Sequence, residues 1–111
     1  MSKESDIICT AWAALEPGQR LVKHQINRGL LGPNECEIDV VNCGVCGGDI
    51  HLNDGDWSFA AFPKPQISGH EIVGKVVKIG SGVHNCAVGD IVSVGFQKSS
   101  CQNCEWCNIG V

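Results

Sequence analysis

The sequence predicts a mainly β domain, a partly closed barrel or sandwich with short helices. The runs rich in β-branched residues are short, fourteen glycines punctuate the chain, and little of it carries helical periodicity. Leu30-Leu31-Gly32-Pro33-Asn34 reads as an entry turn. From Glu35 to Asn42 residues alternate, with Cys36, Ile38 and Val40 on one face and Glu35, Glu37 and Asp39 on the other, as in a half-buried strand. A brief helical turn is expected over Val45 to Asn53 with Ile50 and Leu52 inward, although Gly47 and Gly48 weaken it. Ile72 to Ile79 is a strand closed by Gly80-Ser81-Gly82, and Ile91 to Val94 is another that follows the Gly89-Asp90 turn.

A chain of 111 residues and 11.8 kDa is one domain, residues 1–111, with no room for a second. Its 43% hydrophobic and 18% charged residues are those of a globular chain, and no apolar run approaches the roughly 18 residues of a membrane-spanning helix. A net charge of −4 with scattered basic residues argues against nucleic acid as a partner. Eight cysteines could staple a secreted scaffold, but Met1 to Asp6 lacks the apolar core of a signal peptide. A reducing compartment, the cytoplasm, with thiols kept for metal is the expectation. No repeat, low-complexity tract or linker divides the chain.

Two clusters carry chemistry. Cys101, Cys104 and Cys107 have the C-x-x-C-x-x-C spacing that lets tight turns point successive sulfurs at one zinc ion. They read as most of a zinc lobe from about residue 95, its fourth ligand missing or supplied from elsewhere; the bland alternative is a set of exposed thiols. The second cluster is Cys43-Gly44-Val45-Cys46-Gly47-Gly48-Asp49-Ile50-His51, followed after a loop by Gly69-His70-Glu71. Thiolate, imidazole and carboxylate together form the ligand set of a catalytic zinc with an open position. The spacing alone leaves open a core cysteine with a satisfied histidine, and Cys43 with Cys46 also spells a redox C-x-x-C without the βαβ setting such a motif expects.

Taken in order, GVCGGDIH, GHEIVGKVVKIG, VGDIVSVG and CQNCEWC resemble the zinc-dependent medium-chain alcohol dehydrogenases, in particular their cinnamyl-alcohol-dehydrogenase-like branch. The resemblance covers nearly everything after Leu30. It implies a GroES-like, partly open β-barrel, the N-terminal catalytic domain of an enzyme that oxidises primary alcohols or reduces aldehydes with NADP or NAD. By resemblance, Cys46 and His70 are ligands of the catalytic zinc, Glu71 is an occasional ligand, Asp49 orients the histidine, and His51 lies near the end of a proton relay. Cys101, Cys104 and Cys107 are three of the four thiolates of a separate structural zinc.

Departures from the family pattern shape the expectation for this chain. Where the family commonly has Ser or Thr two residues after the cysteine ligand, this chain has Gly48, so the relay lacks its first hydroxyl unless water substitutes. The third catalytic ligand, the fourth structural cysteine and the nucleotide-binding Rossmann domain of the family are expected further on, and no G-x-G-x-x-G is present to hold NADP. Both zinc sites are therefore expected to be incomplete and the chain alone inactive. A non-enzymatic zinc-binding remnant and a co-chaperonin-like interaction module are the alternatives, the latter a poor match to two ligand clusters. Homo-oligomerisation is left open, with apolar surface expected on the face the Rossmann domain normally covers.

The remaining polar and aromatic residues have plain readings. Cys9, Cys36 and Cys86 have no partner at ligand spacing, and Cys36 and Cys86 read as core. His24 and His84 read as surface or strand histidines. Trp57, Phe59 and Phe62, between the two ligand motifs, could line a substrate pocket or simply pack that loop.

Overall fold

The computed structural model describes residues 6–57 and 61–110. Among the described residues, two antiparallel sheets and two short helices make the fold. Strands β1 (Ile8–Ala13) and β2 (Val22–Asn27) form one sheet, and β3 (Cys36–Gly44), β4 (Glu71–Ile79) and β5 (Ile91–Val94) form the other in the order β3-β4-β5. Helix α1 (Gly47–Asp54) follows β3, and α2 (Glu105–Ile109) follows β5. The strands of the described residues do not close into a barrel, which agrees with the expected mainly β, partly open architecture.

The first hairpin went unread in the sequence. In β1 the half-buried or buried positions are Cys9, Ala11 and Ala13, while Ile8 and Trp12 face out. The inward face is thus made of small residues and the apolar bulk sits outside, which inverts the cue that periodicity offers. Trp12 pairs with Lys23 across the ladder, and the lysine ammonium lies 5.6 Å from its ring centre, an exposed cation–π contact. Beyond β1, Ala14 and Gln66 exchange both backbone hydrogen bonds at 2.9 Å, and the Gly18 N–H donates to the Asn53 carbonyl at 2.8 Å. These bonds tie the hairpin to the loop before His70 and to α1.

β3 is longer than its alternating stretch suggested and is interrupted twice. Its register against β4 shifts between Glu37 and Ile38 and again between Val40 and Asn42. The extra residue is Val77 of β4 in the first case and Val41 of β3 in the second; Val40, expected on one face with Cys36 and Ile38, borders the same open groove as they do and is 59% exposed there. β4 keeps its alternation, with Ile72, Gly74 and Val76 inward and Glu71, Val73 and Lys75 outward. Gly74 is required by close approach. A Cβ there would run into Ile38 and come within 2.6 Å of the Asp39 carbonyl oxygen.

Among the described residues, the fully buried apolar side chains are Ala13, Ala14 and Val76, a small core. Apolar side chains more than half exposed include Val41, Val45, Ile50, Val88, Ile91 and Trp106. An open groove bordered by Leu30, Ile38, Ile72 and Val94 runs along the inner face of the larger sheet. Ile50, expected to pack inward, is 59% exposed, while Leu52 is half-buried. Cys36 and Cys86 are half-buried instead of lying in a core. No helix of the described residues is long and apolar enough to cross a membrane, which leaves strand-built spans untested.

Candidate metal centres

The ladder between β3 and β4 assembles the first site. Its last rung pairs Gly44 with Glu71. Cys46 lies two residues beyond Gly44 and His70 one residue before Glu71, so groups distant in sequence arrive side by side at one end of the sheet. Two glycines permit this. A Cβ on Gly44 would collide with the Glu71 side chain, and one on Gly69 would lie 2.9 Å from Cys43 Sγ, while Gly69 itself has φ 128°, open only to glycine. The result is that ligand atoms of Cys46, His70 and Glu71 all lie within 4.8 Å of one another.

Asp49 supports the cluster from behind. Cys46 is the N-cap of α1, and its backbone N–H donates to Asp49 Oδ2 at 3.0 Å while the Asp49 N–H donates to the Cys46 carbonyl at 3.1 Å. The other carboxylate oxygen, Oδ1, faces His70 Nδ1 at 3.2 Å, with the two side chains only 13% and 18% exposed. The pair is close but not aligned as a hydrogen bond, which leaves Oδ1 and Nδ1 as buried polar atoms without a hydrogen-bond partner. An imidazole backed at Nδ1 by a carboxylate offers its Nε2 forward, the arrangement typical of a metal-ligating histidine. These residues fit a zinc ion by donor chemistry and by this orphaned buried pair.

His51 stands apart from that cluster on the exposed side of α1. Its Nδ1 is 2.9 Å from Asp56 Oδ2, and its ring stacks on Trp57 at 6.3 Å between centroids. Phe96, just beyond β5, meets the His70 ring edge-on at 5.1 Å and Trp57 at 6.1 Å. Phe96 was not singled out from the sequence as part of the site, since a lone aromatic past a short strand carries no periodic cue. Phe62 and Trp57 border a small cavity with His51 and Leu52. Phe59 lies outside the described residues. A Cβ on Gly48 would meet His70 Cε1 at 3.4 Å and Cys46 Sγ at 3.9 Å, so the position of the family hydroxyl is next to both side chains.

The second site is the thiol triad that follows β5 in the chain. Cys104 caps α2, and Gln102 adopts φ 55°, a left-handed turn that lets Cys101 face back toward the helix. Cys107 Sγ lies 3.4 Å from Cys104 Sγ and 3.8 Å from Cys101 Sγ. Zinc–sulfur bonds of about 2.3 Å around a tetrahedron place sulfurs roughly 3.8 Å apart, so the spacing suits one ion. The Asn103 backbone N–H, helped by the thiol and backbone of Cys104 and by the Cys107 thiol, draws the Cys101 pKa down from 9.0 to about 7. The Cys104 thiol likewise lowers that of Cys107, against an opposing influence of Cys101. Lowered thiol pKa values favour the thiolate that binds metal.

The fold and these two cysteine-bearing clusters point to one class, the GroES-like domain of the alcohol dehydrogenases. The chain belongs to the family of the alcohol dehydrogenase GroES-like domain, whose model matches residues 32–111. It is 39% identical over 100 residues to an aldehyde reductase of Synechocystis, covering 90% of this chain and 29% of the relative. It is 35% identical over 105 residues to cinnamyl alcohol dehydrogenase 2 of Rauvolfia serpentina, covering 95% and 29%. Among solved structures, a cinnamyl alcohol dehydrogenase of Helicobacter pylori complexed with NADP(H) superposes with a TM-score of 0.86 at 30% identity, covering 95% of this chain and 30% of that one. A cinnamyl alcohol dehydrogenase of Sorghum bicolor gives 0.86 at 34% identity, covering 94% and 29%. The chain thus spans under a third of the length of these relatives.

Proposed function

We propose that this chain supplies the zinc-holding part of a cytoplasmic, nicotinamide-dependent dehydrogenase acting on primary alcohols and aldehydes, and that by itself it binds zinc without turning over. The observation that carries the reading is the cluster of Cys46, His70 and Glu71 with Asp49 directly behind His70. A zinc ion held there would polarise a substrate oxygen and lower the pKa of a bound hydroxyl. The chain's own residues do the rest of the local work. Asp49 keeps the His70 ring turned with Nε2 forward and braces Cys46 through its backbone. Phe96 and Trp57 shape an apolar wall beside His70 that suits an aromatic or aliphatic alcohol better than a sugar. His51, held at Nδ1 by Asp56, keeps Nε2 for exchanging a proton with solvent. NADP or NAD would bind in the length that the relatives have and this chain does not cover. Cys101, Cys104 and Cys107 would hold a second zinc in a structural role.

Gly48 favours a second reading, a zinc-binding module without chemistry, because no hydroxyl stands between Cys46 and the proton acceptors. Metal analysis of the purified chain, paired with an alcohol-dependent NADP reduction assay, separates these readings. Bound zinc that falls in Cys46→Ser, with no turnover by the chain alone, is the expected result. A chain that neither carries nor takes up zinc would overturn the dehydrogenase and module readings together and leave an interaction domain. Turnover by the chain alone would overturn its predicted inertness.

A further inference from the structure

The segment that delivers His70 is anchored on both sides. Gln66 is held by its exchange of backbone hydrogen bonds with Ala14, and Glu71 by its rung with Gly44. Between these anchors run Ile67, Ser68, Gly69 and His70. Ile67 is 39% exposed and holds little, and Gly69, with φ 128° and no side chain, is a pivot directly before the ligand. Ser68 bridges that weak stretch: its hydroxyl donates to Asn53 Oδ1 at 2.7 Å, and both residues are half-buried. Asn53 stands four residues after Asp49 on α1, so the two side chains leave one face of the helix. The Asn53 carbonyl also accepts from the Gly18 N–H at 2.8 Å, which ties that end of α1 to the connection between β1 and β2. Helix α1 thus reaches the first metal cluster in three ways. Cys46 is its N-cap, Asp49 stands 3.2 Å behind the His70 ring, and Asn53 holds Ser68, two residues before His70.

We propose that Ser68 and Asn53 are positioning residues for the first metal site, setting the place of His70 relative to Cys46 before an ion arrives. The inference rests on reading Cys46, His70 and Glu71 as metal ligands. Asp49 orients the His70 ring, whereas the bond between Ser68 and Asn53 fixes the backbone that carries the ring. A site whose ligands are already in place loses less conformational freedom when the ion binds. Without the bond, residues 67–70 gain freedom about Gly69 in the metal-free chain, and that entropy partly offsets the lost contact. In the metal-bound chain the ion holds His70, the segment gains no such freedom, and the loss is felt in full. Affinity for the ion therefore falls, by an amount bounded by the net worth of one hydrogen bond, about 2- to 12-fold.

The test is cobalt titration against a competing chelator in the full chain carrying Cys101→Ser/Cys104→Ser, together with urea unfolding of the same proteins without metal. In that background Ser68→Ala and Asn53→Ala should each weaken cobalt binding by about 2- to 12-fold. The double substitution should be no weaker than the worse single one, since both remove the same bond. Ser68→Thr, which keeps the hydroxyl, should restore the affinity of the background. A bond that only stabilises the fold would lower the urea midpoint of the metal-free chain and leave cobalt affinity unchanged. That result, or single effects that add in the double variant, would overturn the proposal. Asn53→Ala breaks the bond from within a helix, where alanine is favoured, so the test stands even if Ser68→Ala fails to fold. A background protein that binds no cobalt would instead overturn the ligand reading of Cys46, His70 and Glu71, a result distinct from variants that match their background.

Discussion

Replacing Asp49 with asparagine separates the two jobs its carboxylate does. Oδ2 accepts from the Cys46 backbone N–H at 3.0 Å, and Oδ1 lies 3.2 Å from His70 Nδ1. Asparagine keeps the shape but has one acceptor oxygen, so it can serve the Cys46 N–H or the imidazole, not both, and it brings no negative charge to the ring. The oxygen should stay on the backbone donor, which costs least in rotation and keeps the start of α1 intact. The NH2 group then faces His70 Nδ1, where a metal-ligating imidazole carries a proton, and the two donors oppose each other. Loss of such a supporting carboxylate typically weakens metal binding about 10- to 100-fold, or ~1.4 to 2.7 kcal/mol. The assay is cobalt titration against a competing chelator, in a Cys101→Ser/Cys104→Ser background so that the thiolate absorption reports Cys46. Circular dichroism of the metal-free proteins checks that α1 is unchanged. Cobalt affinity in Asp49→Asn equal to that of the background protein would refute the reasoning and reduce Asp49 to a helix cap.

The thiol triad and the glycines give further checks. In metal-free chain, the Cys101 pKa of about 7 lies below the ordinary 9.0, so its thiolate dominates above neutrality, whereas partial burial holds the Cys86 thiol above the ordinary value. Alkylation near pH 7.5 should therefore label Cys101 ahead of Cys86, and the rate of labelling at Cys101 should fall as pH drops through about 7, as peptide mapping would show. By the same sign, any stability that thiolate contributes is present above the unfolded pKa and lost as pH falls through the folded one. Cys104→Ser removes the sulfur 3.4 Å from Cys107 and should drop zinc stoichiometry by one ion in elemental analysis; unchanged stoichiometry would remove the triad from consideration. Gly48→Ala should be neutral or stabilising by about 0.5–1 kcal/mol in urea unfolding, because its Cβ meets only ordinary contacts in a helix. Gly74→Ala should destabilise by roughly 1–3 kcal/mol through overpacking against Ile38 and Asp39; equal effects of the two would sink the close-approach account.

The sequence by itself determined the class of fold and marked the residues that could hold metal. β-branched runs between glycines are local properties, and they marked β4 and β5 within a residue of where they lie. The ligand spacings are local too, since two-residue spacers position Cys101, Cys104 and Cys107 through turns that need nothing distant. Tertiary structure decided the rest. β1 and β2 were illegible because Cys9, Ala11 and Ala13 turn in and Trp12 turns out, a choice set by what the sheet packs against. Val40 shares a face with Cys36 and Ile38 as its alternation suggested, but it is exposed because that face opens onto a groove, which only the packing of other elements could decide. The meeting of Cys46 with His70 depends on the final β3–β4 rung at Gly44 and Glu71, a register that only pairing supplies. Phe96 beside His70 is likewise a product of chain reversal: the residue looks inert in its own segment and gains its place at the site from a neighbour that folding brings.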